Sequence, residues 1–324
     1  MRLLLVELNR FRSRRAIALM LLAAALVAAI LATTTIYESR PLTDSDIAAA
    51  QAQADAEAQQ PYVQRDLARC EKHPRRFMGP GATVEDCEPN IVPQVEWYLY
   101  RPTLSLAEER MDSGLAVLMI VSAVMIIVGT TFAGADWASG SISNQLIFEP
   151  RRLRVWLAKA GAVFLGTLVV SAVVLVAFWV ALYVAAESRG IPTGAAVQSE
   201  IRWMVGRGVL MAGVAALGGF ALTMLLRHTV GTLAVMFAYA VGGEALTAAL
   251  PVAGAGRWSL ANNVFAWLGD GHEYWDGTVT CSGGAFDCDQ SVVLSLAGGV
   301  TYLGVVLLVV VVLSMFFFRR RDIA

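Results

Sequence analysis

From residue 292 to residue 318 the chain carries no charged side chain. At 1.5 Å of rise per residue, a helix over that run is longer than the ~30 Å of hydrocarbon in a bilayer. Five more apolar runs of spanning length precede it, at 16–36, 114–134, 157–186, 204–226 and 229–250. Such runs leave little choice of fold, because each needs an apolar surrounding along its length. The runs at 157–186 and 292–318 exceed what the hydrocarbon requires, so they tilt or project beyond it. The expected fold is an all-α integral membrane protein with six transmembrane helices.

Composition agrees. Charged residues make up 16% of the chain and hydrophobic residues 57%, where a soluble domain carries about a quarter charged residues. The net charge of -1 and the lack of a basic, aromatic-interleaved stripe argue against nucleic acid as a partner. The first run is read as a span and not as a cleaved signal peptide. Its apolar core is longer than a signal's, and five further spans follow.

Orientation follows from Lys and Arg near the spans. With the N-terminus inside, segments 1–15, 135–159, 227–228 and 319–324 are cytoplasmic and hold thirteen of the 25 basic residues. The far longer outer segments 37–113, 187–207 and 251–291 hold the other twelve. Both termini are therefore expected in the cytoplasm, in a multi-pass protein of a bacterial-type plasma membrane. Arg227-His228 leaves almost no loop between the fourth and fifth spans, which predicts a tight helical hairpin. Residues 1–15 mix Leu3, Leu4, Leu5, Val6, Leu8 and Phe11 with arginines, the pattern of an amphipathic helix along the inner interface.

Residues 37–113 predict a small outer domain. Asp44 to Gln60 suits an exposed helix, which Pro61 is expected to end. Trp97 to Tyr100 is an aromatic cluster, and Glu108 to Asp112 is expected to begin the helix of the second span. In the second outer segment, 251–291, Ser259 is placed to cap a short helix through Leu268 that either re-enters the outer leaflet or lies on the surface. Gly269 to Gln290 reads as loop. The four cysteines pair as Cys70/Cys87 and Cys281/Cys288. On the outer side they form disulfides. On the inner side they would bind metal with His73 or His272, but the spacing matches no zinc pattern. Disulfides and no metal are expected.

Catalytic signals are missing. No Gly-x4-Gly-Lys-Ser/Thr phosphate loop occurs, and neither Lys72 nor Lys159 follows one. Asp270, His272, Glu273 and Asp276 read as a solvated acidic loop. Glu244 is the one acid inside a span. An intramembrane ionisable group is costly and is functional by default, so Glu244, with Tyr239 and Thr247, is a candidate lining of a path. The bland readings are hydration near the outer interface or pairing with Arg202 or Arg207.

The stretch from Gly134 to Lys159 carries a specific order: Asp136-Trp137, Gly140-Ser141-Ile142, Leu146-Ile147, Pro150, Arg152 and Lys159. It resembles the first cytoplasmic loop of the membrane subunits (permeases) of type-2 ABC exporters, where the acid is usually Glu. Glu7-Leu8-Asn9-Arg10-Phe11 and the ending Phe318-Arg319-Arg320-Arg321-Asp322 are also similar to that family. The resemblance implies a coupling helix between spans two and three, made by Asp136, Trp137, Gly140, Ser141, Ile142, Leu146, Pro150 and Arg152. That helix is expected over about 137–149, with Asp136 at its N-terminus favoured by the dipole and Pro150 at its end. The resemblance also implies two separate ATPase subunits carrying ATP and Mg, a second permease subunit, and a path lined by the second and fifth spans, including Phe132. The substrates implied are drug-like molecules, lipids, glycan precursors or peptides. The competing readings are a membrane-anchored sensor or enzyme acting through its outer domain, and a secondary transporter, disfavoured by the lack of a clear repeat.

Overall fold

A computed structural model describes residues 2–99, 101–250, 252–279 and 290–320. The chain opens with α1 (Arg2–Ser13) and α2 (Arg15–Glu38). Then come five short helices: α3 (Asp44–Ala58), α4 (Pro61–Lys72), α5 (Pro74–Met78), α6 (Cys87–Ile91) and α7 (Val95–Tyr98). After α8 (Leu106–Glu109) follow α9 (Ser113–Ala138), α10 (Ser141–Phe148), α11 (Arg152–Ser188), α12 (Ala195–Leu226), α13 (Thr229–Ala249), α14 (Leu260–Gly269) and α15 (Leu296–Arg320). Among the described residues six segments are long and apolar enough to cross a membrane: α2, α8 with α9, α11, α12, α13 and α15. The protein is a predominantly α-helical multi-pass membrane protein.

Two compact units form, residues 34–104 and the rest of the chain. In the 34–104 unit, Thr43 caps α3 in a reciprocal box with Asp46, satisfying two otherwise orphaned backbone donors. Asp46 also pairs with Arg40 at 2.9 Å and Arg101 at 3.2 Å. The Thr43 hydrogen bonds, then the two guanidiniums, hold its carboxyl well below the usual carboxylate range. Pro61 does not simply stop α3. It is the first residue of α4, where its fixed φ suits a helix start and its missing N–H leaves nothing unpaired. Cys70 and Cys87 are disulfide-bonded and buried, which joins α4 to α6 in a unit too small for a large core.

In the larger unit, α9, α11 and α12 make the core. Glycines set how closely they approach. A Cβ on Gly129 of α9 would lie 2.0 Å from the carbonyl oxygen of Ala216 on α12, and one on Gly219 of α12 would lie 2.7 Å from that of Ile126. Close backbone contact of this kind is how helices associate in lipid, where apolar side chains gain nothing from leaving an apolar solvent. Helix α1 docks on α11: Leu4 fills the space over Gly161 and Phe11 the space over Gly166. Its other face leaves Leu5 and Val6 exposed. By contrast α2 exposes Leu19, Leu22, Leu26 and Ile30, and α13 exposes Val230, Phe237, Val241 and Leu246.

The α12–α13 hairpin is capped at both sides. Arg227 takes a left-handed conformation (φ 61°) and ends α12, while His228 Nδ1 accepts from the Gly231 amide at 3.0 Å. The stretch read as loop after Gly269 is partly strand. β1 (His272–Trp275) pairs antiparallel with β2 (Ser291–Leu294), His272 opposite Leu294. Accordingly the last helix starts at Leu296, and the first residues of the predicted sixth span lie in β2. Val292 and Val293 are as apolar as the helix that follows, so hydropathy alone merged them with it.

Candidate functional site

Four elements meet where α9 ends: α1, the last turn of α9, α10 and the first turns of α11. Each contributes a polar side chain to one cluster. Lys159 on α11 is fully buried, and its Nζ donates to Asp136 Oδ2 at 2.5 Å and to Glu7 Oε2 at 3.1 Å. Asp136 and Glu7 are fully buried as well. Arg14 forms an ion pair with Asp136 and donates to the Phe132 carbonyl at 2.7 Å. Arg10 reaches Asp136 at 3.3 Å and Glu7 at 3.1 Å, and it donates to Ser141 Oγ at 2.6 Å. Gln145 Nε2 of α10 donates to Glu7 Oε1 at 2.7 Å. The Phe132 ring lies beneath, 4.7 Å from the Arg14 guanidinium and 5.6 Å from Lys159 Nζ.

Two carboxylates thus face three cations. Burying any of these charges alone would cost several kcal/mol per ion. Together they satisfy one another, and the geometry is unforgiving because removing one partner strands the rest. Asp136 makes the point sharply. It sits in the last turn of α9, the end at which a helix dipole disfavours an acid, and not at the start of the lever as the sequence suggested. Contacts with Lys159, Arg14 and Arg10 outweigh the dipole.

The lever itself is shorter than expected. Trp137 and Ala138 complete α9, and the chain reverses at Gly140, whose φ of 64° suits glycine. Helix α10 then runs from Ser141 to Phe148. Its root is fixed: Ser141 and Gln145 join the charge cluster, and Ile142 is buried. Its far end is displayed, with Leu146 half-buried, Ile147 76% exposed and Phe148 89% exposed. Glu149 is extended before Pro150 (φ -127°, ψ 92°), the conformation a following proline favours. Arg152 donates toward the carbonyls of Phe318 and Arg319 at 3.5 and 3.4 Å, linking α11 to the end of α15. Trp137 packs edge-on against Phe318 and beneath Arg227.

The path candidates separate. Phe132 is buried inside the single chain under the charge cluster, and Val121, Met125 and Val128 are buried along the same helix. On α13, Tyr239 faces out and its hydroxyl meets that of Tyr302 at 2.5 Å. Glu244 meets neither Arg202 nor Arg207; Arg207 pairs with Asp270 at 3.0 Å. Instead, Glu244 accepts from Ser259 Oγ at 2.7 Å and from the Ala261 amide at 2.8 Å, so it caps the start of α14 alongside Ser259, whose Oγ accepts from Asn262. Thr247 donates to the Glu244 carbonyl at 3.0 Å. Glu244, Thr247, Ser259 and Asp276 line a cavity of about 530 Å³. Helix α14 packs against α15 and α12, and Trp267 Nε1 donates to the Arg207 carbonyl at 3.1 Å.

The acidic loop is structural. Asp276 accepts from the Gly254 amide at 2.8 Å and from the Thr278 hydroxyl at 2.6 Å, which lowers its pKa, the Thr278 bonds most of all. His272 lies against Phe265, and burial lowers its pKa. Among the described residues no group of His, Cys, Asp or Glu is arranged to hold a metal. Cys281 and Cys288 lie outside the described residues.

Sequence reasoning singled out Asp136 and matched Lys159 within the motif, but it did not join them to Glu7, Arg10 and Arg14. A signal was there: Lys159 is a lysine inside an apolar run, and a lysine there needs an acid. Comparison of the chain with protein-family models, with curated proteins and with solved structures returns no significant match.

Proposed function

We propose that this chain is the membrane subunit of an ATP-driven ABC exporter, with α10 as the handle that a separate ATPase subunit moves from the cytoplasm. One observation carries the reading. An eight-residue helix is locked at its root by buried charges from α1, α9 and α11, yet presents Ile147 and Phe148 to solvent at its tip. A loop that merely joins two spans needs neither feature. A helix that transmits motion needs both: a rigid root, so that displacement reaches two spans and α1 together, and an apolar tip for a partner's groove. The residue order from Asp136 to Lys159, which resembles the coupling loop of type-2 ABC permeases, supports the same assignment.

In this reading both termini and α10 are cytoplasmic, which the Lys and Arg distribution favours, and the disulfide-bonded 34–104 unit is outside. Two ATPase subunits bind ATP and Mg, a second permease subunit completes the path, and the membrane is the plasma membrane. The exposed apolar faces of α2 and α13 suit lipid or that second subunit. Export of a drug-like, lipid, glycan or peptide substrate would follow from alternating access.

The test is co-purification. An ATPase is expected to accompany the wild-type chain, and Phe148→Ser with Ile147→Asp should weaken the association by more than ~30-fold, the factor for an interface anchor worth 2 kcal/mol or more. Labelling of a cysteine placed at 147 from the cell exterior, or transport by the purified chain without any nucleotide-hydrolysing companion, overturns the proposal.

A further inference from the structure

A second feature of the larger unit has no part in this scheme. Near the α11–α12 connection, a cleft of about 300 Å³ runs between the two helices. Its walls are Leu106, Val176, Val180, Ile201 and Val205, with Trp179 among them. From Val176 to Tyr183 it extends about 10 Å along α11, at 1.5 Å per residue. At its mouth are Tyr183, Gln198 and Arg202.

Charge sets Arg202 apart. Of its neighbours, Arg110 is held by Glu200 at 3.4 Å and Arg207 by Asp270 at 3.0 Å. Arg202 is exposed and makes no hydrogen bond or ion pair with the described residues. Beside it Trp203 is 71% exposed. Trp and Tyr at the ends of spans mark the level of the lipid headgroups, so the unpaired guanidinium sits where phosphates are. Guanidinium is also the side chain best matched to a phosphate, which it meets with two parallel donors. Within the wall, the Trp179 indole is wedged against Gly114 of α9, and its buried Nε1–H has no acceptor among the described residues.

We infer that the cleft between α11 and α12 binds one anionic phospholipid, an acyl chain along Val176, Val180, Ile201 and Val205 and the phosphate on Arg202. At about 300 Å³ over about 10 Å of length, the cleft is smaller than the volume of a protein helix of that length, which with side chains is about 10–12 Å across. It is also too apolar for a free phosphate, for which Arg202 is the one cation of the lining. The bound lipid would join α11 to α12 at the end remote from the charge cluster. This assignment does not depend on the exporter reading, and either can fail without the other.

Native mass spectrometry of the full chain in detergent tests it, with phosphatidylglycerol, phosphatidylcholine and glycerol 3-phosphate as probes. The wild type should retain phosphatidylglycerol about fivefold over phosphatidylcholine, the preference one basic residue gives at a membrane surface. Arg202→Gln should bring the two lipids level, while Arg202→Lys keeps part of the preference. Val180→Trp, at a residue already half exposed, should reduce retention of both lipids with the charge intact. Glycerol 3-phosphate alone should not bind. An unchanged preference in Arg202→Gln, unchanged retention in Val180→Trp, binding of glycerol 3-phosphate as tight as the lipid, or a protein found covering the cleft would each overturn it. Both substituted side chains are exposed, so thermal unfolding should match the wild type and keep the result interpretable.

Discussion

Asp136 and Glu244 are both acids on helices long and apolar enough to cross a membrane, and the chain satisfies them by different means. Asp136 is fully buried and held by three cations, Arg10 on α1, Lys159 on α11 and Arg14 between α1 and α2. Glu244 is half-buried and held by a hydroxyl and an amide at the start of α14, with no cation. The first arrangement ties distant parts of the chain, since Lys159 and Asp136 also recruit Glu7, 152 positions from Lys159. The second is local, spanning 15 to 17 positions. The difference teaches where this molecule is stiff. A cluster of mutually dependent buried charges fails as a unit, whereas a helix cap can be lost while the rest stands.

The largest effect should come from Lys159. Replacing it with Met leaves Glu7 and Asp136 buried with one cation fewer, and breaking such a pair costs about 3–5 kcal/mol. Thermal unfolding in detergent should show it. Adding Glu7→Gln to Lys159→Met should restore part of the loss, because contacting charges are coupled by about 0.5–3 kcal/mol. Strict additivity would show that the cluster is not one unit.

Glycine substitutions carry the comparison to the backbone. A Cβ on Gly134, two residues from Asp136 in sequence, would lie 1.7 Å from Thr229 Oγ1, whereas one on Gly242 or Gly243, beside Glu244, meets nothing within 4 Å. Gly134→Ala should therefore destabilise by about 1–3 kcal/mol through overpacking. Gly243→Ala should be neutral, or stabilising by up to about 1 kcal/mol as a helix former replaces glycine. The same unfolding measurement compares them. Equal effects would mean that the two ends are packed alike.

How much of this could be read from residues alone follows the same divide. Spans were legible because hydropathy over 20 residues is a large signal: the run 229–250 appears as Thr229–Ala249, and 16–36 as Arg15–Glu38. The Arg227-His228 hairpin was legible because two residues leave no alternative. Helix α14 was legible from Ser259 and the apolar residues after it. The β1–β2 pair was not, because its partners are separated by the 280–289 stretch, and neither four-residue strand is long enough to show a period. The charge cluster was half legible. Asp136 and Lys159 stand out as charges at the edge of apolar runs, but periodicity says nothing about which helix a buried charge will face. Only packing α1 on α11 brings Glu7, Arg10 and Arg14 to them. The partners of Glu244 were hidden for a related reason. An acid in a span suggests a path, and its hydrogen-bond partners, Ser259 and Ala261, lie beyond the end of its helix.

Glu244→Ala is expected to be milder than any change at Lys159. It frees the Ser259 hydroxyl and the Ala261 amide, and a lost helix cap costs about 1 kcal/mol. Hydrogen exchange should rise in the first turn of α14 and stay unchanged in α10. Protection lost at both ends would join what the comparison separates. Unaltered protection at both would remove Glu244 from the cap.

The smallest effect is a pH response confined to the same region. Asp276 closes the 254–278 segment by accepting from the Gly254 amide and from Thr278. These bonds favour the carboxylate, so its pKa is lowered in the folded chain. A group with a depressed folded pKa contributes its stability in full above the unfolded value, about 3.9 for Asp. That contribution is lost as pH falls through the folded value. Between pH 7 and pH 5 the Gly254 amide should therefore exchange at a protection that does not change. Below pH 4 it should lose protection progressively while the Asn144 amide of α10, bonded to the Gly140 carbonyl, keeps its own. Asp276→Asn should show the loosened state at every pH, because an amide holds the three donors less well than a carboxylate. If Gly254 protection falls already between pH 7 and pH 5, the carboxylate is not favoured by the fold, and Asp276 does not hold this segment closed.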